Sequence, residues 1–171
     1  MTDISPPHLR GRGRGEGTSY MDHKEMEMAA GKASLVAYKV EYAGPATYMK
    51  AFEDTGFGFV LDDDGETGYL YATTEDFQEV LDGLHLFNDD QPDRLTNKDR
   101  VYIIFNPEML KAGLYYRNRY QAIVDFKGAK ACCRSGFPPP EPSGWCTSAH
   151  TWDPKMEGGL TFEKVEDGLP N

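Results

Sequence analysis

The stretch LYYRNRYQAIVDF, residues 114–126, decides the fold class because it predicts two strands joined by a tight turn. Both ends of the stretch are rich in aromatic and β-branched residues, which favour strands. Asn118, at its centre, tolerates the left-handed backbone conformation that a tight hairpin needs. In the second strand, alternate residues are predicted to share one face: Tyr120, Ala122, Val124 and Phe126.

Similar runs predict further strands at residues 35–42, 46–52 and 57–61. The run Val101-Tyr-Ile-Ile-Phe105 is continuously apolar, which is typical of a strand buried on both faces, and Asn106-Pro107 closes it with a turn. Most of the chain is therefore predicted to form an antiparallel β-meander.

One segment departs from the two-residue period. Phe77, Val80, Leu81 and Leu84 are spaced as on one face of a helix, and Thr73 or Thr74 can serve as the N-cap. The pattern predicts an amphipathic helix from about residue 75 to 87, although Gly83 weakens it by about 1 kcal/mol relative to alanine. The predicted fold class is α+β, a mainly antiparallel β-meander with this one helix.

The chain of 171 residues is long enough to bury one core. Residues 1–32 contain Pro6-Pro7 and the Gly/Arg repeat 11–17 and carry few large apolar groups, so they are predicted to be a disordered tail. Residues 33–156 are predicted to form a single α+β domain, and residues 157–171 a loose C-terminal segment.

The location of the protein is predicted from what the sequence lacks. No apolar run approaches the roughly 18 residues that a membrane span requires, and the N-terminus has no apolar signal-peptide core. The three cysteines, two of them adjacent, do not resemble a secreted disulfide framework. We therefore expect a cytoplasmic protein that does not associate with membranes.

Charge divides the chain into an acidic half and a basic half. Residues 51–93 contain thirteen Asp and Glu and no Lys or Arg, whereas residues 94–134 contain nine Lys and Arg and three acids. The two halves can pair with each other at the surface, or the acidic half can attract a basic protein partner. The acidic half is not expected to bind nucleic acid.

The most acidic stretch is LDDDGETGYLYA, residues 61–72. It fails the EF-hand pattern in either glycine register, since the acids and the final glutamate do not fall at the required positions. Asp-Gly between two apolar runs predicts a tight hairpin turn instead. If the protein binds a partner electrostatically, four acids of this tip are the predicted contacts: Asp62, Asp63, Asp64 and Glu66.

The cysteines and His150 allow two kinds of chemistry. Cys132, Cys133, Cys146 and His150 can be drawn as a zinc set, but adjacent cysteines on a strand point to opposite faces and cannot both reach one ion easily. Cys133 or Cys146 could also be a nucleophile activated by His150 and oriented by Asp153. Buried structural cysteines are the simpler interpretation, so no metal and no cofactor are expected.

Several separated motifs resemble a known family. They are DDGETGYLYA (63–72), LDGLHLFN (81–88), AIVDF (122–126), CRSGFPPP (133–140), and Gly144-Trp145 with HTWD (150–153). Together they resemble a family of small bacterial proteins of unknown function, domain of unknown function 2251, over about residues 36–153. The resemblance implies a bacterial, cytosolic, single-domain protein and no particular reaction.

The C-terminal motif carries large aromatic side chains, including Phe137, Trp145 and Trp152, on a proline-rich segment. These groups are predicted to fold back over a sheet face or edge and close the core. If a binding groove exists there, its predicted lining is Arg134, Trp145, His150 and Trp152.

Two function classes follow. The first is a non-catalytic binding protein whose acidic face occludes a basic toxin or enzyme, as an immunity protein or inhibitor does. The alternative is a small enzyme or ligand sensor that uses Cys133, Arg134, His150 and Asp153. The sequence favours the first class and does not define the oligomeric state.

Overall fold

The structure, a computed structural model, describes residues 18–20, 25–30 and 33–163, with side chains from residue 34 onward. The described residues form eleven strands and one short 3-10 helix, Pro154–Glu157. The strands are β1 (Thr18–Tyr20), β2 (Glu25–Ala30), β3 (Ala33–Val40), β4 (Thr47–Phe52), β5 (Phe57–Asp63), β6 (Thr67–Thr74), β7 (Val80–Asn88), β8 (Val101–Asn106), β9 (Lys111–Tyr116), β10 (Arg119–Asp125) and β11 (Lys130–Cys133).

The strands form two sheets that pack face to face. One sheet has five strands in the order β1-β4-β5-β6-β7, and the other has six in the order β11-β10-β9-β8-β3-β2. Apart from the parallel pair β1 and β4, neighbouring strands run antiparallel. Because β4 to β7 and β8 to β11 are each consecutive in the chain, the fold contains two meanders, and the predicted antiparallel meander is confirmed.

The main core lies between the two sheets and draws side chains from both. Phe52, the last residue of β4, makes several of its aromatic contacts. Its ring stacks on Phe105 of β8 at a centroid distance of 4.4 Å and also contacts Phe59 and Phe126. Each of these aromatic side chains removes a large apolar area from water, so the contacts that hold the sheets together are concentrated here.

The predicted helix at residues 75–87 is wrong, and the domain is all-β in the described residues. The segment forms a turn followed by β7, which pairs with β6 through Leu84 opposite Leu70 and Asp82 opposite Ala72. Phe77 adopts a φ of 60°, which no right-handed helix allows.

The physical reason lies in both the turn and the sheet. The side chains of Thr74 and Asp76 hydrogen-bond to the turn 74–79, because residues that cap helices also stabilise turns. A helix of this length is marginal by itself. Pairing with β6 satisfies the backbone of β7 and buries Leu84 and Leu86.

The hairpin predicted at residues 114–126 is confirmed, with Arg117 and Asn118 both in the left-handed region at φ of 53° and 64°. One detail of the prediction is wrong. The register shifts between Tyr120 and Ala122, so Tyr120 lies on the opposite face from Ala122, Val124 and Phe126. Such a bulge inserts an extra residue into one strand and reverses the alternation beyond it.

The outer face of the six-stranded sheet carries a second apolar cluster, which we call the outer-face cluster: Leu35, Ala37, Tyr102, Ile104, Tyr115, Tyr120, Ile123, Cys132 and Leu160. Trp152, Met156 and Phe162 pack against it, so the C-terminal segment covers this face. The prediction that this segment folds back over a sheet is thereby confirmed for Trp152.

The predicted terminal segments overlap only partly with the described residues. Residues 1–17, 21–24, 31–32 and 164–171 lie outside them, so the disordered tail at 1–32 and the loose segment at 157–171 stay predictions there. Within these segments, β1 and β2 are strands, and Leu160 is fully buried. Asn106 and Lys111 donate hydrogen bonds to the carbonyls of Gly159 and Gly158.

Candidate functional site

The acidic hairpin tip is a turn between β5 and β6, as the sequence predicts, with Gly65 at a φ of 93°. Its four predicted contact residues differ in exposure. Asp64 and Glu66 are exposed, whereas Asp62 and Asp63 are each only 1% exposed. The hydroxyl of Thr47 donates a 2.6 Å hydrogen bond to the buried carboxylate of Asp62. Half of the predicted contact surface therefore lies inside the protein.

Asp63 organises this end of the sheet. Its carboxylate accepts hydrogen bonds from the Tyr42 hydroxyl at 2.5 Å and from the Gly65 amide at 3.0 Å, and the Arg94 guanidinium lies 3.5 Å away. Burial is the main cause that raises the pKa of Tyr42, and the hydrogen bond to the Asp63 carboxylate is the second. The Tyr42 hydroxyl therefore stays protonated and keeps donating this hydrogen bond. Asp63 thus ties the turn to the segments before β4 and after β7.

We expect Asp63→Ala to lower the free energy of unfolding by about 2–3 kcal/mol. A hydrogen bond to a charged acceptor contributes about 1.5–3 kcal/mol, and the substitution leaves the donors of these bonds without their acceptor. Urea denaturation measures the change. Glu66→Ala removes an acid three residues away whose side chain is exposed, and it should change the free energy by less than about 0.5 kcal/mol. Equal effects of the two substitutions would contradict the structural role of Asp63.

The opposite end of the same sheet presents a second group of acids, which we call the acidic end: Glu53, Asp54, Glu75, Asp76 and Glu79. The turn between β4 and β5 and the turn between β6 and β7 meet there. The carboxylate of Glu75 joins the two turns by accepting hydrogen bonds from the amides of Thr55 and Gly56, each at 3.0 Å. Hydrogen bonds from the Thr74 hydroxyl and the Gln78 amide lower the pKa of Asp76, so its carboxylate stays charged.

An open depression of about 540 Å³ is lined by residues of the two turns, including four members of the acidic end: Asp54, Glu75, Asp76 and Glu79. Glu53, Asp54, Asp76 and Glu79 are exposed. In the part of the chain that the structure describes, no Lys or Arg lies within 4 Å of these carboxylates. At the hairpin end, by contrast, Arg94 pairs with Asp89 at 3.0 Å and lies beside Asp63.

The four residues predicted to line a C-terminal groove do not come together. Arg134 lies over the ring of Trp152, 3.6 Å from its centroid, on the outer face of the six-stranded sheet. Trp145 instead packs against the main core, with its ring 6.3 Å from that of Phe126. His150 is buried and its ring contacts Asp82 of β7. Arg134 and Trp152 therefore form one contact, whereas Trp145 packs on the main core and His150 bonds to β7.

His150 connects the C-terminal segment to the edge strand β7. Its Nε2 lies 2.8 Å from Oδ2 of Asp82, and its Nδ1 lies 2.5 Å from the carbonyl oxygen of Pro138. Burial by itself lowers the pKa of His150, but the hydrogen bond and charge of Asp82 outweigh it and raise the pKa. The His150 side chain is 1% exposed and that of Asp82 is 12% exposed, so the histidine end of the pair is buried and the carboxylate end is partly accessible.

All three cysteines are free and buried, Cys132 in the outer-face cluster and both Cys133 and Cys146 in the main core. The separation of Cys132 from Cys133 confirms that the adjacent pair points to opposite faces. Burial raises the pKa of the Cys132 thiol to about 11 and also raises that of Cys133, so both thiols stay protonated at neutral pH.

The predicted nucleophile arrangement is not formed as expected. Asp153 caps the 3-10 helix by accepting a hydrogen bond from the Lys155 amide, and the partner of the His150 ring is Asp82. Cys146 does lie beside that pair, since its sulfur and the ligand atoms of Asp82 and His150 are all within 4.8 Å of one another. Both ring nitrogens of His150 face acceptors, which leaves neither free to take a proton from the thiol.

The family of uncharacterized proteins conserved in bacteria (DUF2251) matches residues 42–159. The chain belongs to this family. The DUF2251 match covers β4 to β11 and the C-terminal segment as far as Gly159, so it includes Asp82, Cys146 and His150 as well as both acidic turns. No curated protein and no solved structure matches the chain.

Sequence reasoning missed two features of this DUF2251 domain. Asp82 falls within the predicted helix 75–87 and is not among the predicted site residues, although β7 directs it toward His150, 68 residues later in the chain. The acids of the turns 53–56 and 74–79 were counted in the acidic half, but nothing in their spacing indicated that two turns meet. Among the described residues, no helix is long and apolar enough to cross a membrane.

Proposed function

We propose that the protein is a non-catalytic binding protein whose acidic end receives a Lys/Arg-rich surface of another protein, in the manner of an immunity protein or an enzyme inhibitor. The observation that carries the proposal is the set of exposed carboxylates around the open depression, which lack a Lys or Arg partner among the described residues. A basic partner would supply the missing positive charges.

Physical considerations favour this end of the sheet over the hairpin tip. Carboxylates already paired within the protein must give up those partners before they can bind others, whereas exposed, unpaired carboxylates attract a cationic surface from a distance. The turns are also held in place by Glu75, so little conformational entropy is lost when a partner binds. The depression is open to solvent, so a Lys or Arg side chain of a partner can approach the carboxylates that line it.

The test reverses charge at the acidic end. We expect Glu53→Lys/Glu79→Lys to weaken partner binding about tenfold or more, since like charges facing each other cost several kcal/mol at an interface. Both side chains are exposed, so the fold should be unaffected. The immobilised wild-type protein is used to capture partners from a bacterial lysate, and mass spectrometry identifies them. Titration calorimetry then measures the dissociation constant of each variant.

The matched control is Glu66→Lys/Asp90→Lys, which makes the same change in net charge at exposed positions at the opposite, hairpin end of the same sheet. It should retain binding. Binding should also weaken as the ionic strength rises from about 0.01 M to about 0.15 M, which shortens the Debye length from about 30 Å to about 8 Å. A basic partner captured equally by wild type and by the Glu53/Glu79 variant would refute the assignment of this surface.

A further inference from the structure

Three metal-ligating side chains meet where β7 and the C-terminal segment come together. Asp82 lies on β7, while Cys146 and His150 lie on the irregular segment that follows β11. One ligand atom from each residue, a carboxylate oxygen, a sulfur and an imidazole nitrogen, lies within 4.8 Å of the other two. Nε2 of His150 and Oδ2 of Asp82 are 2.8 Å apart, and no separation exceeds 4.8 Å. Ligand atoms on one tetrahedral zinc ion lie about 3.3–3.8 Å apart, so small shifts of these side chains would complete a site.

The chemistry of this donor set matches that of zinc. Zinc is held by cysteine sulfur, histidine nitrogen and carboxylate oxygen, and sites with three protein ligands keep a fourth position for water or an external group. A ligating histidine usually donates its other ring N–H to a carbonyl or carboxylate that does not itself bind the metal. The Pro138 carbonyl lies 2.5 Å from Nδ1 of His150 and would do so here, which directs Nε2 toward Asp82.

The burial of the three side chains and their access to solvent also suit a metal site. Cys146 and His150 are 3% and 1% exposed, so the thiol and imidazole ligands are shielded from solvent, and the Asp82 side chain retains 12% exposure. The Cys146 sulfur otherwise contacts only weak partners in the described residues, the carbonyl and hydroxyl oxygens of Ser148 at 3.5 Å. An ion can therefore enter from the Asp82 side.

We propose that Asp82, Cys146 and His150 form a site for a divalent cation of the zinc class, with the fourth position open to water. The site is independent of the acidic end. It differs from the zinc set considered from sequence, because it uses Cys146 and His150 without Cys132 or Cys133 and takes its third ligand from β7. A bound ion would crosslink β7 to the C-terminal segment.

Cobalt is the probe for the test, because a cobalt–thiolate bond gives a charge-transfer absorption that carboxylate and imidazole ligands do not. The full chain is stripped with EDTA, dialysed and titrated with Co²⁺, and Zn²⁺ competition then gives the zinc affinity. We expect the wild type to bind one equivalent with a thiolate band. Cys146→Ser should abolish the band. Cys146→Ser and Asp82→Asn should each weaken zinc binding by about 100-fold, because losing a metal ligand should cost at least as much affinity as losing a residue that only hydrogen-bonds to a ligand.

The matched controls are Cys133→Ser and Asp153→Asn, which make the same two changes at residues outside the proposed site and should bind as the wild type does. Zinc should also raise the melting temperature of the wild type in a concentration-dependent way. If Cys146→Ser does not fold, Asp82→Asn carries the test, since its side chain is nearly isosteric and partly exposed. The absence of a thiolate band in the wild type, its persistence in Cys146→Ser, or its loss in Cys133→Ser would overturn the proposal.

Discussion

Phe52→Ala is expected to lower the free energy of unfolding by about 3–5 kcal/mol, a large part of the about 5–15 kcal/mol that stabilises a domain. Phe52 is 1% exposed and contacts aromatic rings of both sheets, including Phe105 at 4.4 Å and Phe126 at 5.9 Å. Truncation removes these contacts and leaves a cavity between two sheets that cannot collapse fully around it. Chemical denaturation monitored by circular dichroism measures the loss.

Phe137→Ala is the matched control for this prediction. Phe137 is 50% exposed, and its aromatic contact is with the edge of His85 at 6.0 Å. We expect this substitution to cost less than about 1 kcal/mol, because little apolar area returns to water. If the two phenylalanines proved equally important, the core between the sheets would not be the main source of stability.

His150→Ala, measured with EDTA present so that no metal contributes, is expected to cost about 3–5 kcal/mol, the usual result of removing one partner of a buried ion pair. The substitution leaves the Asp82 carboxylate without its 2.8 Å partner and the Pro138 carbonyl without a donor. The connection between β7 and the C-terminal segment is lost at the same time. Thermal and urea denaturation should both report the change.

His85→Ala is the control for His150→Ala, since His85 is also buried but its Nε2 contacts the amide oxygen of Asn88 at 2.8 Å rather than a carboxylate. We expect it to cost about 1–2 kcal/mol. A double-mutant cycle between His150 and Asp82 should give a coupling of about 1–3 kcal/mol. Additive effects of the two substitutions would show that the pair contributes no net interaction.

Much of the sheet was predictable from short stretches of sequence. The strands at residues 35–42, 46–52, 57–61 and 101–105 all correspond to observed strands, because alternation and β-branched or aromatic composition are local properties of the chain. The hairpin at Asn118 was predictable for the same reason. The family was also recognisable, since its motifs are contiguous and occur in order along the chain.

The predictions of secondary structure were wrong where one local sequence pattern is compatible with two conformations. The spacing of Phe77, Val80, Leu81 and Leu84 fits a helix, and Thr74 and Asp76 resemble its cap, yet these two residues stabilise a turn. Pairing with β6 then decided the conformation of β7. The bulge beside Tyr120 is similarly invisible in the sequence, because it results from the register of two strands.

The candidate sites were the least predictable part. Asp62, Asp63, Asp64 and Glu66 are all acidic, so the sequence does not distinguish them. Asp62 and Asp63 are buried because they are the last residues of β5, before the turn begins. Cys146 and His150 were recognisable as members of a candidate zinc set. Asp82 was not, because its position beside them depends on β7 packing at the edge of the sandwich.

The sequence by itself determined the strand content, the turns at Gly65 and Asn118, the opposite faces of Cys132 and Cys133, and the family. Each of these depends on residue type and on spacings of a few residues. Only the tertiary structure decided that β7 is a strand, which acids are exposed, and that Asp82 meets His150. These features depend on contacts between residues far apart in the chain, whose free energies outweigh the local preferences of about 1 kcal/mol or less per residue.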